Sequence, residues 1–323
     1  TISWLCGRSI APLVRTVAEV DTVIELDDSR LLAGRRPAQI AEMARTWVRL
    51  FGRRFDLVIT AHADARYGYL TKTVRARERR SFFPRARGRW LIPGRHHSNE
   101  YVRLVTGLDG PDAPSAQVRS VKLPLPAFLV PLLNSSATPL VALAPGGTKS
   151  MLQEIPLRRW PLEHYGKLAA RLLTSGCRVA ITGSTSDVWV RGAFKGMAVI
   201  DLIEKTSLTD LLAFYGACNA VITHDTGSLH LAMLSGTPVV ALFGPTRPNE
   251  RILPNQPGRV LWGGEKLACR PCYDGTTYAP CVSNRCLREI TVETVLNAVE
   301  DVVGKTSAAP PSSRLARATA VAG

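Results

Sequence analysis

The chain has 323 residues, of which 46% are apolar and 21% charged, and its formal net charge is +15. This composition is typical of a globular protein of about two domains and excludes collagen-like, coiled-coil and disordered classes. No apolar stretch approaches the length of a transmembrane helix, and no signal-peptide pattern opens the chain. We therefore expect a soluble intracellular protein, or a piece of one.

The first part of the chain alternates strand patterns with an amphipathic helix. Apolar runs of strand length occupy residues 2–6, 22–26 and 55–60. Residues 38–51 carry apolar side chains at helical spacing. A passage rich in proline and glycine follows and ends near residues 134–138, where we place a domain boundary. The first predicted domain is therefore residues 1–137.

The second part alternates more strictly. We predict strands at residues 141–144, 177–182, 199–202, 220–223 and 238–243, and helices at 162–174, from 207, at 228–234 and at 291–303. Strands that are apolar on both faces are typical of a parallel sheet covered by helices on both sides, which gives an α/β fold class. Residues 138–304 form the second predicted domain, and residues 305–323 are predicted to be a disordered tail.

Basic residues are concentrated between Arg66 and Arg95, where ten basic side chains, nine of them arginine, accompany the single acid Glu78. Such a run could bind nucleic acid, an anionic membrane surface or a phosphorylated substrate, or it could be a solvated face without a ligand. The preference for arginine over lysine favours bidentate recognition of phosphate or carboxylate.

Four of the seven cysteines form a cluster with the spacing Cys269-x2-Cys272-x8-Cys281-x4-Cys286. Seven cysteines are too few for a disulfide scaffold in a chain of this length. The spacing could hold a structural metal such as zinc, could form a disulfide, or could leave reduced thiols.

The most informative motif follows the predicted strand 220–223. Ligands of an open parallel sheet bind at the carboxyl ends of its strands, and a helix begins here within a few residues. The N–H groups of Gly227 and Ser228 would face an anion at the helix start, with hydroxyl groups from Thr226 and Ser228 beside them. Asp225 could accept hydrogen bonds from sugar hydroxyls, and His230 could reach the same point. Alternatively, Asp225 and Thr226 only cap the helix and His230 packs internally.

A second candidate anion site directly follows the predicted strand 141–144. Gly147 and Thr148 belong to a turn with two glycines, which allows the backbone to approach a ligand closely. Arg158 and Arg159 precede the next helix, so their guanidinium groups could lie near its N-terminus. The chain has neither a Walker motif nor a G-x-G-x-x-G motif, which argues against an NTPase or a dehydrogenase.

Four motifs now occur in one order: Pro145-Gly-Gly, Arg158-Arg-Trp-Pro with Tyr165, Asp225-Thr-Gly-Ser-Leu-His-Leu-Ala, and Pro238-Val-Val-Ala-Leu-Phe-Gly-Pro-Thr246. This series resembles glycosyltransferase family 9, the heptosyltransferases of lipopolysaccharide core assembly. The resemblance spans residues 2–303 and is most specific over residues 141–246. The cysteine cluster is similar to that of a branch of the family that carries such cysteines.

The resemblance implies a GT-B fold, in which two Rossmann-like domains with parallel sheets face a cleft. It implies metal-independent, inverting transfer of a sugar, heptose from ADP-heptose, to a lipopolysaccharide core or related glycan. The N-terminal domain would bind the anionic lipid-linked acceptor and the C-terminal domain the nucleotide-sugar donor. The implied location is the cytoplasm, peripheral at the inner face of the inner membrane, with no nucleic-acid partner and no cofactor required for catalysis.

The resemblance also implies roles for individual residues. Asp225 would contact the sugar, the Thr226-Gly227 turn with His230 would surround the diphosphate, and Arg158 would neutralise phosphate charge. Asp201 would contact the ribose. The other expected donor-binding residues are Gly147, Thr148 and Ser228. The expected acceptor-binding residues are Arg75, Arg77, Arg85 and Arg87.

The chain departs from the family pattern at two places. The family's aspartate base lies in a Gly-Asp loop after a strand that would precede Ile2, so we expect that the first strand is missing here and name no catalytic base. The spacer from Lys149 to Leu157 is longer than in the heptosyltransferases, which leaves the donor open. The alternative functions are a nucleotide-sugar-binding pseudoenzyme and a nucleic-acid-binding protein that uses the run Arg75–Arg95.

Overall fold

The computed structural model describes residues 1–62, 64–82, 94–108, 116–133, 138–149, 153–274 and 277–307. These residues form two compact units. The first comprises the described residues up to 117 together with Gln153, and the second comprises the described residues 118–149 and 154–307. The sequence analysis placed the division at residue 137. Residues 118–133 belong to the second unit, where the Val121 N–H donates to the Leu234 carbonyl oxygen at 2.8 Å.

The strands of the first unit pair in parallel, β1 with β2 and β3 with β4. These strands are β1 (Ser3–Gly7), β2 (Thr22–Leu26), β3 (Arg54–Thr60) and β4 (Arg75–Ser81). The helices are α1 (Ala11–Val14), α2 (Asp28–Leu32), α3 (Arg36–Leu50), α4 (Ala65–Leu70) and α5 (His97–Thr106). The apolar and helical periodicities therefore located β1, β2, β3 and α3 correctly.

Strand β4 was not predicted, because its sequence is an arginine run rather than an apolar pattern. It contains no β-branched or aromatic side chain, and five of its seven residues are exposed. Its backbone pairs with β3 from Arg54 opposite Arg75 to Thr60 opposite Ser81. Four of the ten basic residues in the run Arg66–Arg95 therefore lie on a strand, and pairing rather than propensity defines this strand.

The second unit contains one parallel sheet of six strands in the order β10-β9-β8-β5-β6-β7. The strands are β5 (Leu140–Ala144), β6 (Arg178–Ile181), β7 (Ile200–Asp201), β8 (Ala220–His224), β9 (Val239–Phe243) and β10 (Gly258–Trp262). The helices are α6 (Val130–Leu133), α7 (Leu162–Thr174), α8 (Leu208–Ala217), α9 (Gly227–Ser235), α10 (Arg285–Arg288) and α11 (Val292–Ser307). This topology confirms the predicted α/β fold class.

Helices cover both faces of this sheet. Val141 and Leu143 of β5 belong to a core that includes Leu168 of α7 and Val299 of α11, and these two helices pack together. Ala142 points to the opposite face because side chains alternate along a strand, and it is fully buried as well. Helices α8 and α9 pack against each other. This burial on both sides explains why the strands read as continuous apolar runs.

The C-terminal helix and the length of the helices bear on two further predictions. Helix α11 continues to Ser307, so the first residues of the predicted tail are helical, and the rest of that tail lies outside the described residues. Within the described part of the chain, no helix is long and apolar enough to cross a membrane.

The parallel arrangement brings three connections side by side. Strands β5, β8 and β9 are adjacent, so the turns that follow Ala144, His224 and Phe243 meet at one edge of the sheet. Candidate residues Gly147, Thr148 and 225–230 of the second unit lie in or next to these turns, whereas Asp201 ends β7.

Candidate functional site

The centre of this edge is Asp225, which directly follows β8. Only 3% of Asp225 is exposed. Thr226, itself buried, is the N-cap of α9, which begins at Gly227. Gly227 and His230 are exposed and Ser228 is partly exposed. The start of α9 is therefore exposed beside a buried carboxylate.

Two arginine side chains enclose the Asp225 carboxylate, and we call these three residues the ion cluster. The Arg158 Nη1 atom lies 3.5 Å from Oδ2, and the Arg251 Nε atom lies 3.5 Å from Oδ1. The side chains of Arg158 and Arg251 are 20% and 10% exposed. Arg251 was not predicted, because no motif marks it and it approaches Asp225 only through the turn that follows β9.

The ion cluster keeps Asp225 ionised. Burial alone would raise the pKa of this carboxyl, but the positive charges of Arg251, Arg158 and His230 outweigh burial and hold the pKa below its usual value. The carboxylate is therefore anionic at neutral pH, and Arg158 presents its charge from a fixed position.

Several buried polar atoms at this edge have no hydrogen-bond partner of normal geometry among the described residues. They include Thr148 Oγ1, Arg158 Nε, Asp225 Oδ2 and Thr246 Oγ1. Thr246 follows β9, and its hydroxyl lies close enough to Asp225 to influence its pKa. Buried polar groups in proteins are nearly always hydrogen-bonded. A concentration of unpaired atoms is therefore a sign that a polar ligand completes the site.

The glycine turn after β5 is held against the β8–α9 turn. Gly147 has φ +79°, and a Cβ atom there would lie 3.2 Å from Thr226 Cγ2. Its N–H donates to Asp187 Oδ1 at 2.7 Å, and its carbonyl oxygen accepts from Arg159 Nη2 at 2.7 Å. Thr148 also has a positive φ, +64°. Gly147 therefore permits a close approach between two turns that both face the candidate ligand.

Arg158 and Arg159 are neighbours with different contacts. Arg158 reaches Asp225, whereas Arg159 is bound to the Gly147 carbonyl and lies over the Trp189 ring, with 5.0 Å from Cζ to the ring centroid. The local sequence pattern did not distinguish them, and only the family resemblance singled out Arg158. Asp187, which fixes the Gly147 amide, was missed altogether because it comes from a separate 3-10 segment, Thr185–Phe194.

Below the site, His224 and Tyr165 form a buried pair. The Tyr165 hydroxyl lies 3.1 Å from His224 Nδ1. Burial, together with the charges of Arg158 and Arg159, lowers the pKa of His224 to about 3. His224 is therefore neutral in the folded protein and supports the end of β8 without adding charge.

Asp201 lies away from the ion cluster. It ends β7, which is separated from β8 by two strands, or about 14 Å at the usual strand spacing. Arg191 Nε donates to its Oδ2 at 2.7 Å, and the Ile203 N–H donates to its Oδ1 at 2.9 Å. A ligand that touches both Asp201 and Asp225 must therefore extend along the edge of the sheet.

Among the predicted acceptor-binding residues, Arg75 and Arg77 are exposed on β4. Arg77 forms an exposed ion pair, with its Nη1 atom 3.4 Å from Asp56 Oδ1. Arg80, on the same strand, instead pairs with Glu78. Arg85 and Arg87 lie outside the described residues.

A structural metal site at the cysteine cluster is not shown. Cys269 and Cys281 are exposed, Cys272 and Cys286 are half-buried, and all seven cysteines are free. No group of three or more His, Cys, Asp or Glu side chains among the described residues could hold a metal ion. The structure therefore does not support a structural zinc at these four residues, and it contains no disulfide there.

The fold and the edge site together define an α/β protein of the GT-B class. The structure of the glycosyl transferase family 9 protein from Veillonella parvula is similar, with a TM-score of 0.71 and 21% identity over 94% of this chain and 88% of that chain. The structure of E. coli ADP-heptose lps heptosyltransferase II has a TM-score of 0.65 and 20% identity over 95% of this chain and 90% of that chain.

Residues 43–282 match glycosyltransferase family 9 (heptosyltransferase), and the chain belongs to this family. It is 34% identical over 117 residues to lipooligosaccharide heptosyltransferase 2 of Haemophilus influenzae, an alignment that covers 34% of this chain and 32% of that relative. The match thus spans about a third of the curated relative's length. The nucleic-acid-binding and pseudoenzyme alternatives receive no support from these relatives.

Proposed function

We propose that this protein is a glycosyltransferase that moves a heptose from ADP-heptose, with inversion, to a lipopolysaccharide core or related glycan. Family membership supports the reaction class, and a solved structure of similar fold is described as an ADP-heptose lps heptosyltransferase. The observation that carries the proposal is the ion cluster, which places Arg158 and the exposed start of α9 at one point of the sheet edge.

The ion cluster suits a departing diphosphate. The acceptor oxygen attacks the anomeric carbon, its proton passes to a base, and the bond from that carbon to the diphosphate oxygen breaks. Negative charge then develops on the diphosphate. Arg158 and the amide groups of Gly227 and Ser228 stabilise this charge from fixed positions. Because these groups supply positive charge, the proposed reaction needs no divalent metal.

The remaining donor contacts are proposed from the positions of the side chains. The Oδ2 atom of Asp225, which has an ion-pair contact with Arg158 but no hydrogen bond of normal geometry, accepts a hydrogen bond from a sugar hydroxyl. Thr226 and His230 lie beside the diphosphate at the start of α9. The turn of Gly147 and Thr148 closes the opposite side. Asp201 at the end of β7 receives the ribose.

We propose that the first unit binds the anionic acceptor through Arg75 and Arg77, with Arg85 and Arg87 completing the basic run. The exposed arginines of β4 support this assignment. We propose that the same positive strand holds the protein at an anionic membrane surface, peripherally at the cytoplasmic face of the inner membrane.

Isothermal titration with ADP, UDP, GDP and ADP-heptose tests the donor assignment. We expect selective binding of the adenine ligands, abolished by Asp225→Ala. Arg158→Gln should weaken ADP binding about ten- to a hundredfold, because a charge-assisted hydrogen bond contributes about 1.5–3 kcal/mol. Arg171→Gln is the control, since Arg171 forms an exposed ion pair in the same unit. Unchanged ADP binding in Arg158→Gln would show that this site is not the donor site.

A further inference from the structure

The segment from Cys269 to Cys286, here the cysteine segment, has no role in the proposed function so far. It is fixed at two places that border the ion cluster. The N–H groups of Cys272 and Tyr273 both donate to the Pro245 carbonyl oxygen at 3.1 Å. The Asn284 side chain donates to the Arg159 carbonyl oxygen at 3.0 Å.

These two anchors place the cysteine segment beside both sides of the ion cluster. Pro245 directly precedes Thr246, whose hydroxyl lies near Asp225. Arg159 directly follows Arg158. The contact at the first anchor is close, because a Cβ atom on Gly244 would lie 2.7 Å from Cys286 Sγ. The segment therefore packs on the turn after β9 and extends to Arg159, the chain neighbour of the arginine that pairs with Asp225.

Between the anchors, the described residues before 275 pair with those after 276 and bring two tyrosines together. Tyr273 and Tyr278 form an antiparallel bridge, and the Ala279 N–H donates to the Cys272 carbonyl oxygen at 3.1 Å. Their ring centroids are 4.6 Å apart and the rings are inclined by 31°. Both side chains are partly exposed. The stacked rings therefore form a preorganised aromatic surface that a ligand can reach.

The tyrosine pair lies within the electrostatic reach of the ion cluster. Burial raises the pKa of Tyr278 to about 12, and the charges of Arg158, Asp225 and Arg251 also act on its hydroxyl. The charges of Arg251 and Arg158 act on Tyr273. The Tyr278 hydroxyl is therefore protonated at neutral pH and can donate a hydrogen bond next to the ion cluster.

The order of the strands indicates which part of a donor meets these rings. Asp201 ends β7 on one side of β8, and the cysteine segment packs on the turn after β9 on the other side. A nucleoside diphosphate sugar is a linear molecule. With its ribose at Asp201 and its diphosphate at Arg158 and the start of α9, its sugar extends toward β9 and the tyrosine pair.

We propose that Tyr278, held by stacking on Tyr273, is a specificity-determining residue that contacts the sugar of the donor. Its hydroxyl donates to a sugar oxygen, and the ring pair packs against the C–H groups of the sugar ring. This inference rests on the proposed function, because it uses the same site and the same class of ligand. It also assigns a role to the cysteine segment, which positions the two rings.

Separate titrations with ADP and with ADP-heptose test the proposal, because only the second ligand carries the sugar. Tyr278→Phe removes one hydroxyl and keeps the stacked ring, so we expect about five- to tenfold weaker ADP-heptose binding and ADP binding within twofold of wild type. Tyr273→Ala should also weaken ADP-heptose selectively. Tyr69→Phe, an exposed tyrosine of the first unit, is the matched control and should change neither affinity.

The outcomes separate this proposal from the proposed function. Wild-type protein that binds both ligands while Tyr278→Phe keeps full affinity for both would overturn the sugar contact alone. Equal weakening of ADP and ADP-heptose would also overturn it, because the rings would then support the fold rather than the sugar. Wild-type protein that binds neither ligand would overturn the proposed function and this inference together.

Discussion

Replacing Arg251 by methionine isolates what the ion cluster contributes to stability. Methionine keeps much of the length of the side chain and removes its charge. The Asp225 carboxylate then stays buried with Arg158 as its remaining partner in the cluster. The wild-type contacts are two ion pairs of equal length, 3.5 Å each. The change therefore removes one of two similar contributions from a carboxylate that is only 4% exposed.

The expected loss follows from the distance and the burial. Two unit charges 3.5 Å apart attract by about 5 kcal/mol at an effective dielectric constant of about 20, before desolvation is subtracted. Removing one partner of a buried pair costs about 3–5 kcal/mol in proteins, and the remaining Arg158 places this case near the lower end. We expect the free energy of unfolding to fall by about 3 kcal/mol, or the Tm to fall by about 6–12 °C.

Urea denaturation and calorimetry at pH 7 measure this loss, with Arg171→Met as the matched control. Arg171 lies 3.4 Å from Glu293, but both side chains are more than half exposed, so its removal should cost less than about 1 kcal/mol. Equal losses in the two variants would refute the argument that burial of the ion cluster matters.

The pH dependence gives a second check on Arg251→Met. The pKa of Asp225 is lowered in the folded protein, so its stabilising effect is present above the unfolded pKa and is lost as the pH falls through the folded pKa. Without Arg251 this folded pKa rises, and the carboxyl takes up its proton at a higher pH. The difference in unfolding free energy between wild type and variant should therefore narrow as the pH falls through the acidic range between the folded pKa of the variant and that of the wild type. A constant difference would contradict the assignment to Asp225.

Three further predictions concern other parts of the molecule. Gly147→Ala should destabilise the protein by about 1–2 kcal/mol more than Gly176→Ala and should weaken ADP binding, because both glycines have φ +79° but only a Cβ atom at 147 would meet other atoms. Equal losses of unfolding free energy in urea denaturation of the two variants would contradict this prediction. Because His224 has a pKa of about 3 in the folded protein, unfolding below pH 6.5 is accompanied by uptake of a proton, and His224 should lower the free energy of unfolding by about 1.4 kcal/mol per pH unit between pH 6 and 4. Measurements of the unfolding free energy over this range should show that the His224→Gln variant lacks this contribution. The double variant Arg75→Gln/Arg77→Gln should keep the wild-type Tm and ADP affinity but bind anionic lipid vesicles about thirtyfold more weakly, because each exposed arginine contributes about 1 kcal/mol at such a surface. Unchanged vesicle binding would argue against β4 as the membrane contact.

Local sequence pattern was sufficient to predict five of the six strands in the sheet of the second unit, all except β10, and to propose a ligand site at one edge of that sheet. The runs that became β5, β8 and β9 are apolar because both faces of the sheet are covered, and each is followed by glycine or small polar residues. Glycine turns and helix starts are short-range features, so Gly147 and Asp225 could be selected as candidates from their neighbours in the chain alone. The match to a family motif then gave these residues expected roles, which remain predictions.

Contacts between distant parts of the chain decided the rest. Arg251 pairs with Asp225 across 26 residues, and Asp187 fixes Gly147 across 40, so no local spacing marks either contact. Arg158 and Arg159 are adjacent residues of the same type. Only the folded turn directs Arg158 to the Asp225 carboxylate and Arg159 to the Gly147 carbonyl oxygen. Strand β4 forms because the backbone of its arginine-rich sequence pairs with the backbone of β3. Charge and turn propensity act locally and can be read from sequence, whereas burial and pairing depend on which elements the tertiary structure brings together.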